Sequence, residues 1–197
     1  FWDYGCGDFA NDGIHQLDVA RWGLGVDYPK GIACSGGQLF YDDDHETPDT
    51  QTIVFEYEHC HLIYEMRLWT DYPMEGHDNG TIFYGTDGRL EDGRKGIVVV
   101  MKDGQTRKIE AGGVSHQENF LNAVRANDPA KLSAPIEVGA VSANLCHLGN
   151  IGTRLGGQRV EYDPVAERIT RCGGREAEAN ALLTRTYRAG YELPYRG

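Results

Sequence analysis

The pattern of apolar and polar positions divides the chain into a short helical start, a long β region and a helical end. Over residues 12–24 the apolar positions Ile14, Leu17 and Leu24 recur at three- and seven-residue steps. Val19, Ala20 and Trp22 widen that face, and together they predict an amphipathic helix. Asp8, Asn11 or Asp12 is placed to cap its start, and Gly23 and Gly25 to end it ahead of Pro29. Between residues 31 and 110 the period shortens to two. Residues 32–41 and 51–58 read as strands; in the second, Ile53, Phe55 and Tyr57 point one way and Thr52, Val54 and Glu56 the other. Residues 61–70 return across the His59-Cys60 turn as the second arm of a hairpin. Short strands over 80–84, 88–92, 96–102 and 106–110 follow, punctuated by Asp-Gly turns.

Helices come back after residue 110. Ser115 and Glu118 form a capping-box pattern for a helix running to about Ala126. Pro135 precedes a long helix over 136–155, closed by Gly156-Gly157. A short strand over 159–162, a helix over 176–183 and an extended tail over 187–197 complete the chain. This order predicts an α+β fold: a large, mostly antiparallel open sheet with helices on one face. The other sheet face is expected to carry Val54, Leu62, Tyr64, Met66, Leu68 and Val99. A second subunit is the simplest cover for such a face, so a homo-oligomer is expected.

Composition narrows the partners. The 197 residues suffice for one domain, and their formal net charge of −11 disfavours nucleic acid and anionic membrane surfaces. The five cysteines are widely spaced with no Cys-x-x-Cys pair, which predicts free thiols in a reducing, cytoplasmic compartment. The chain opens on Phe1-Trp2 rather than Met and is read as a piece of a longer protein, whose upstream part would carry any targeting signal.

The candidate chemistry lies at the start. Asn11 and His15 are four residues apart, and His15 and Asp18 three, so in a helix they are near neighbours. An imidazole oriented by a polar partner suits proton transfer at a hydroxyl. Gly5 and Gly7 would let a cofactor or substrate ring approach the backbone. A lone histidine at a helix start is more often a satisfied polar residue, and the spacing alone does not decide. Asp12, Arg67, Trp69, Tyr72 and His116 are candidates to line a substrate cleft, since Trp and Tyr stack on sugar faces and Arg forks to oxygens. Sheet-edge packing is an equal reading for them. No metal is expected: the acidic run from Asp42 to Asp49 lacks the glycine and terminal Glu of a calcium loop, and His59, Cys60 and His61 alternate on a turn.

The motif Gly5-x-Gly7-Asp8-x-x-Asn11-x-Gly13-x-His15-x-x-Asp18-x-Ala20-Arg21-Trp22 resembles one in the glucose–fructose oxidoreductase, inositol dehydrogenase and rhizopine-catabolism (Gfo/Idh/MocA) family. The likeness continues through Thr47-Pro48-Asp49-Thr50, Phe83-Tyr84-Gly85-Thr86-x-Gly88, His116-x-x-Asn119-Phe120, Cys146–Ile151 and Leu183–Arg188. The resemblance implies a C-terminal domain like that of glyceraldehyde-3-phosphate dehydrogenase, which supplies an Asp-x-x-x-His pair, an open sheet and a subunit interface. It also implies an N-terminal Rossmann domain binding NAD or NADP and a catalytic Lys in Glu-Lys-Pro; neither motif occurs in this sequence. His15 matches the family's histidine, and Asn11 stands where many members have Asp. Asn can orient but cannot act as a base. The expected function is therefore the substrate-binding half of an NAD(P)-dependent oxidoreductase acting on a sugar, polyol or related small molecule. The alternative is a non-catalytic sugar-binding or oligomerisation module of the same fold.

Overall fold

The computed structural model describes residues 1–110 and 112–192, so the end of the expected tail, 193–197, lies outside the described residues. The α+β class and its antiparallel pairing hold throughout. Where one opening helix was expected there are two segments, α1 (Gly7–Asn11) and α2 (Gly13–Leu24). The turn tightens where Gly13 passes beneath the Tyr64 ring, and the His15 N–H reaches back to Asp12 O at 3.0 Å, three residues away. Contrary to expectation, neither Asp12 nor any other side chain caps α2, because the Asp12 carboxylate is drawn to Asn79 instead. At the other end Gly25 takes the left-handed conformation (φ 65°) that closes the helix.

The strands between 31 and 109 form two sheets rather than one. β1 (Gly31–Gly37), β2 (Thr50–Glu56) and β3 (His61–Arg67) make the first, and β4 (Gly80–Tyr84), β5 (Gly88–Gly93), β6 (Gly96–Met101) and β7 (Thr106–Ile109) make a meander. The segment between β3 and β4 turns back on itself at Met74–His77, so the two strands do not pair. Helix α2 spans the gap: Tyr64 of β3 lies against Gly13, while Thr81 of β4 donates to Gln16 O at 3.3 Å and Phe83 presses on Gly23.

In the first sheet, Phe55 faces Leu62, Ile53 faces Tyr64 and Gln51 faces Met66 across the ladder. Directly paired residues share a face. Leu62, Tyr64 and Met66 therefore lie on the helix side with Phe9, Leu17, Leu145 and Leu148, not on the outer face assigned to them from the sequence. The physical reason is parity, since the hairpin turn (Tyr57 N–H to Cys60 O, 3.0 Å) sets which residues oppose one another. The outer face carries Thr52, Val54, Ile63 and Glu65 and is far less apolar than expected.

Helix α4 (Ile136–Arg154) lies over this sheet. Two of its glycines allow that closeness: a methyl group on Gly149 would come within 2.6 Å of Ile53 Cδ1, and one on Gly152 within 2.5 Å of Cys34 Sγ. Arg21 ties α2 to α4. Its side chain is 4 % exposed, donates to Ser142 Oγ (2.5 Å) and Val138 O (3.2 Å), and pairs with Asp27 (2.7 Å). Ser142 in turn donates to Asp18 at 2.5 Å. The remaining elements are α3 (His116–Ala126), capped by Ser115 as expected, a 3-10 turn at Pro129–Lys131, the hairpin β8 (Glu161–Asp163) and β9 (Arg168–Arg171), and α5 (Glu176–Ala181). All five cysteines are free, and among the described residues no helix is long and apolar enough to cross a membrane.

Asp49 is fully buried and organises the loop between β1 and β2. Its carboxylate accepts the N–H groups of Leu39 (3.1 Å), Phe40 (2.8 Å) and Tyr41 (2.9 Å) and the Thr50 hydroxyl (2.7 Å). Burial alone would raise its pKa, but these donors outweigh burial and hold it at about 2, against 3.8 for the free side chain. A depressed folded pKa means stability that is whole above about 4 and is lost as pH falls through about 2. The urea midpoint of the wild type is expected to exceed that of Asp49→Asn at neutral pH, with the gap closing over that window. A gap independent of pH would rule out the carboxylate as its source.

Candidate functional site

The glycine turn and α1 border a hollow of about 490 Å³ lined by Gly5, Cys6, Gly7, Asp8, Ala10 and Asn11. The turn is fixed from below. Asn150 of α4 donates to Cys6 O (2.7 Å) and accepts from the buried Gln51 (3.2 Å), which also donates to Thr153 (2.9 Å). Gly7 adopts φ 70°, and a methyl group there would lie 2.9 Å from Thr47 Cβ, so its freedom is used in seating the 38–49 loop. A methyl group on Gly5 would meet only the Phe1 carbonyl oxygen, at 4.0 Å.

His15 is exposed on α2, about 160° round the helix from the buried Leu17. Asn11 is exposed one turn earlier, on the rim of the hollow. Neither side chain has a hydrogen-bond partner among the described residues. Asp12 is engaged: its Oδ2 accepts from the Asn79 amide at 2.6 Å, and Asn79 Oδ1 accepts from Gln16 Nε2 at 2.6 Å. Asp18, read from the sequence as a neighbour of His15, is turned to Ser142 and Arg21.

Acidity concentrates beside the hollow. Burial, and then the charge of Asp12, raise the pKa of Asp8. Burial, and then the charge of Asp8, push the Tyr64 phenol well above its usual range, so it remains a hydrogen-bond donor. The Tyr64 ring packs on Phe9 at 4.3 Å between centroids. A methyl group on Gly13 would meet Tyr64 at 2.7 Å. Gly13→Ala is therefore expected to destabilise the chain by about 1–3 kcal/mol despite alanine's better helix propensity. Adding Tyr64→Leu should recover most of that in urea titrations; no recovery would place the clash elsewhere.

The proposed cleft residues divide. Arg67 ends β3 beside Glu65 (3.7 Å), and Trp69 follows it, bonded to Thr50 and stacked on Phe40. Tyr72 is exposed in the following loop. His116 opens α3, which packs on the 3-10 turn rather than beside α2. Gln51 and Asn79, which hold the site with Asn150, were not singled out from the sequence, and Asn150 entered only as part of the family likeness. Their signal was there for Gln51, a polar residue in phase with Ile53 and Phe55.

Comparison with known proteins adds a family. The model of an oxidoreductase family's C-terminal alpha/beta domain (Gfo/Idh/MocA) matches residues 1–142. No curated protein gives a match. Among solved structures, a Thermotoga maritima protein classed as an oxidoreductase superposes with TM-score 0.60 at 18 % identity, over 76 % of this chain and 45 % of that one. The UDP-N-acetylglucosamine 3-dehydrogenase of Acidithiobacillus ferrooxidans gives 0.53 at 13 %, over 71 % and 44 %. The WlbA dehydrogenase of Bordetella pertussis, in complex with NADH and UDP-GlcNAcA, gives 0.53 at 16 %, over 79 % and 45 %. The chain thus spans less than half the length of these structures.

Proposed function

Since the chain belongs to the Gfo/Idh/MocA oxidoreductase family as its C-terminal alpha/beta domain, we propose that it is the substrate-binding half of an NAD(P)-dependent enzyme acting on the hydroxyl or carbonyl of a sugar, polyol or related small molecule. The observation that carries this is His15: an exposed imidazole, without a hydrogen-bond partner among the described residues, one turn from the glycine-rimmed hollow. In this reading the substrate's reacting hydroxyl sits over the hollow and gives its proton to His15. Asn11 hydrogen-bonds the substrate or steadies the imidazole, and cannot take the proton itself. A nicotinamide bound by the full-length protein would supply the hydride acceptor.

The described residues fit the cofactor's ring end better than its phosphates. Gly5 leaves room at the hollow. However, no strand, glycine-rich turn and helix combine into a phosphate cradle among the described residues. Dinucleotide binding is therefore assigned to a separate N-terminal Rossmann domain of the full-length protein. Of the cleft candidates, Trp69 stacks on Phe40 of the 38–49 loop, and Arg67 lies opposite Thr50 in the ladder next to it. Self-association through the open sheet belongs to the same reading, supported now by Val54 and Ile63 rather than by the larger set expected. The Asn11 departure favours one second reading, a binding module that has lost catalysis. Nicotinamide reduction by the full-length protein across a panel of sugars and polyols separates the two: turnover supports the enzyme, and its absence across the panel retires it.

A further inference from the structure

Asn11 stands where many members of the family have Asp, yet the hollow still holds a carboxylate, that of Asp8. Asp8 and Asn11 are three residues apart, and Asn11 and His15 four, so the three side chains follow one stripe of the opening helices. Asp12, which joins α1 to α2, keeps right-handed helical angles (φ −96°, ψ −45°), so the stripe runs on across the junction. Asp8 lies at one end of it and His15 at the other, roughly 10 Å apart along the axis, with Asn11 between them.

Two buried carboxylates of the chain are treated differently. Asp49 accepts three backbone N–H groups and the Thr50 hydroxyl, and its pKa falls. Asp8, half-buried, receives no hydrogen bond on its side chain among the described residues, and its pKa rises through burial and the charge of Asp12. The titratable groups around it are Cys6 and Asp12 on its own segment, Tyr64 of β3 and Cys146 of α4. Burial pushes the phenol well above its usual range and the thiol up to about 12, so neither is charged at neutral pH. Asp12 is bound to Asn79, the 38–49 loop brings the uncharged Thr47 to Gly7, and no Lys or Arg lines the hollow. A carboxylate kept in a hollow without a donor from its own chain is open to a donor from a ligand.

We propose that Asp8 is the substrate-binding carboxylate of the hollow, set one turn before Asn11 where position 11 itself carries no charge. It accepts a hydrogen bond from a ligand O–H or N–H group while the reacting hydroxyl lies toward Asn11 and His15. Proton transfer stays with His15; Asp8 holds the far end of the ligand and so sets how the reacting carbon is presented. This rests on the reading of the hollow as the substrate site and adds a residue to it. The bond is strongest to the ionised carboxylate. Because the folded pKa is raised, the grip is whole at neutral pH and is lost, as pH falls, above the 3.8 of a free Asp.

The test uses the 197-residue chain, labelled with nitrogen-15, and its Asp8→Asn variant. Both are titrated with myo-inositol and methyl β-D-glucopyranoside from neutral pH down to about pH 4, following the Gly7 and Asn11 amide resonances. At least one probe is expected to move them in the wild type. Asp8→Asn should weaken that binding about tenfold at neutral pH, the loss of one charge-assisted hydrogen bond, and abolish its decline toward acid. The urea midpoint is expected to stay at the wild-type value, which a merely structural role for Asp8 would not allow. Adding Asn11→Asp to Asp8→Asn returns a carboxylate to the stripe and should recover part of the affinity. The proposal is overturned by equal affinity in the two chains, by an acid decline that persists in Asp8→Asn, or by Gly7 and Asn11 silent to both probes. In the full-length protein, turnover unchanged by Asp8→Asn removes this role and leaves the redox reading. Asp8-dependent binding without nicotinamide-dependent turnover does the reverse.

Discussion

Replacing His15 with alanine in the full-length protein is expected to lower turnover by about two to four orders of magnitude, the usual contribution of a positioned general base. The side chain is exposed, makes no described hydrogen bond and lies on the face of α2 turned away from Leu17 and the core. Its removal should therefore leave the urea midpoint within about 0.5 kcal/mol of the wild type, as for surface positions away from caps and networks. That pairing of a large kinetic effect with a small stability effect separates a proton acceptor from a structural histidine. Substrate affinity should change less than turnover, because proton transfer is felt in the transition state. Equal turnover in the two proteins would remove His15 from the chemistry and leave Asn11 and the hollow without a base.

The second large effect is structural. Arg21→Ala is expected to destabilise the chain by about 2–4 kcal/mol, read from urea unfolding at neutral pH. Arg21 is almost wholly buried and serves Ser142, the Val138 carbonyl and Asp27 at once. Truncation opens a cavity between α2 and α4 and strips Val138 O of this donor. The figure stays below that for a fully buried ion pair because Asp18 and Asp27 are 43 % and 79 % exposed, so water can take them back. Arg21→Met, which fills much of the volume, should cost about half as much. If alanine and methionine cost the same, the cavity is not the cause; if neither costs anything, the bond from α2 to α4 is dispensable.

The strands were legible because alternation over β2 and β3 is strong, and α2, α3 and α4 because their apolar spacing and end signals agree. The face of β3 was not legible. Leu62, Tyr64 and Met66 alternate cleanly, but which side they take depends on the number of residues in the turn after β2, and a shift of one reverses it. The break at Asp12 was hidden for a related reason: it comes from Tyr64, distant in sequence, pressing on Gly13. At the site, Asn11 and His15 stood out through the family motif and not through spacing alone. Asp18 and Arg21 belong to the same motif yet serve the union of two helices, which a linear pattern cannot separate from chemistry. Gln51 and Asn79 were given no role, and Asn150 only a place in the family likeness, because amides carry no charge or metal-ligand signature.

The two glycines of α4 have a mechanical consequence. With Ile53 and Cys34 pressed to its backbone at Gly149 and Gly152, the helix rests on the sheet along that seam, where any side chain larger than hydrogen would collide. It acts as a keyed shaft, locked against rotation near one end. Along that shaft Ser142 and Asn150 stand roughly 12 Å apart, one gripping Arg21 and the other the carbonyl of Cys6. The lock flanks Asn150, so the floor of the hollow should hold its place even when the Arg21 anchorage at Ser142 is disturbed.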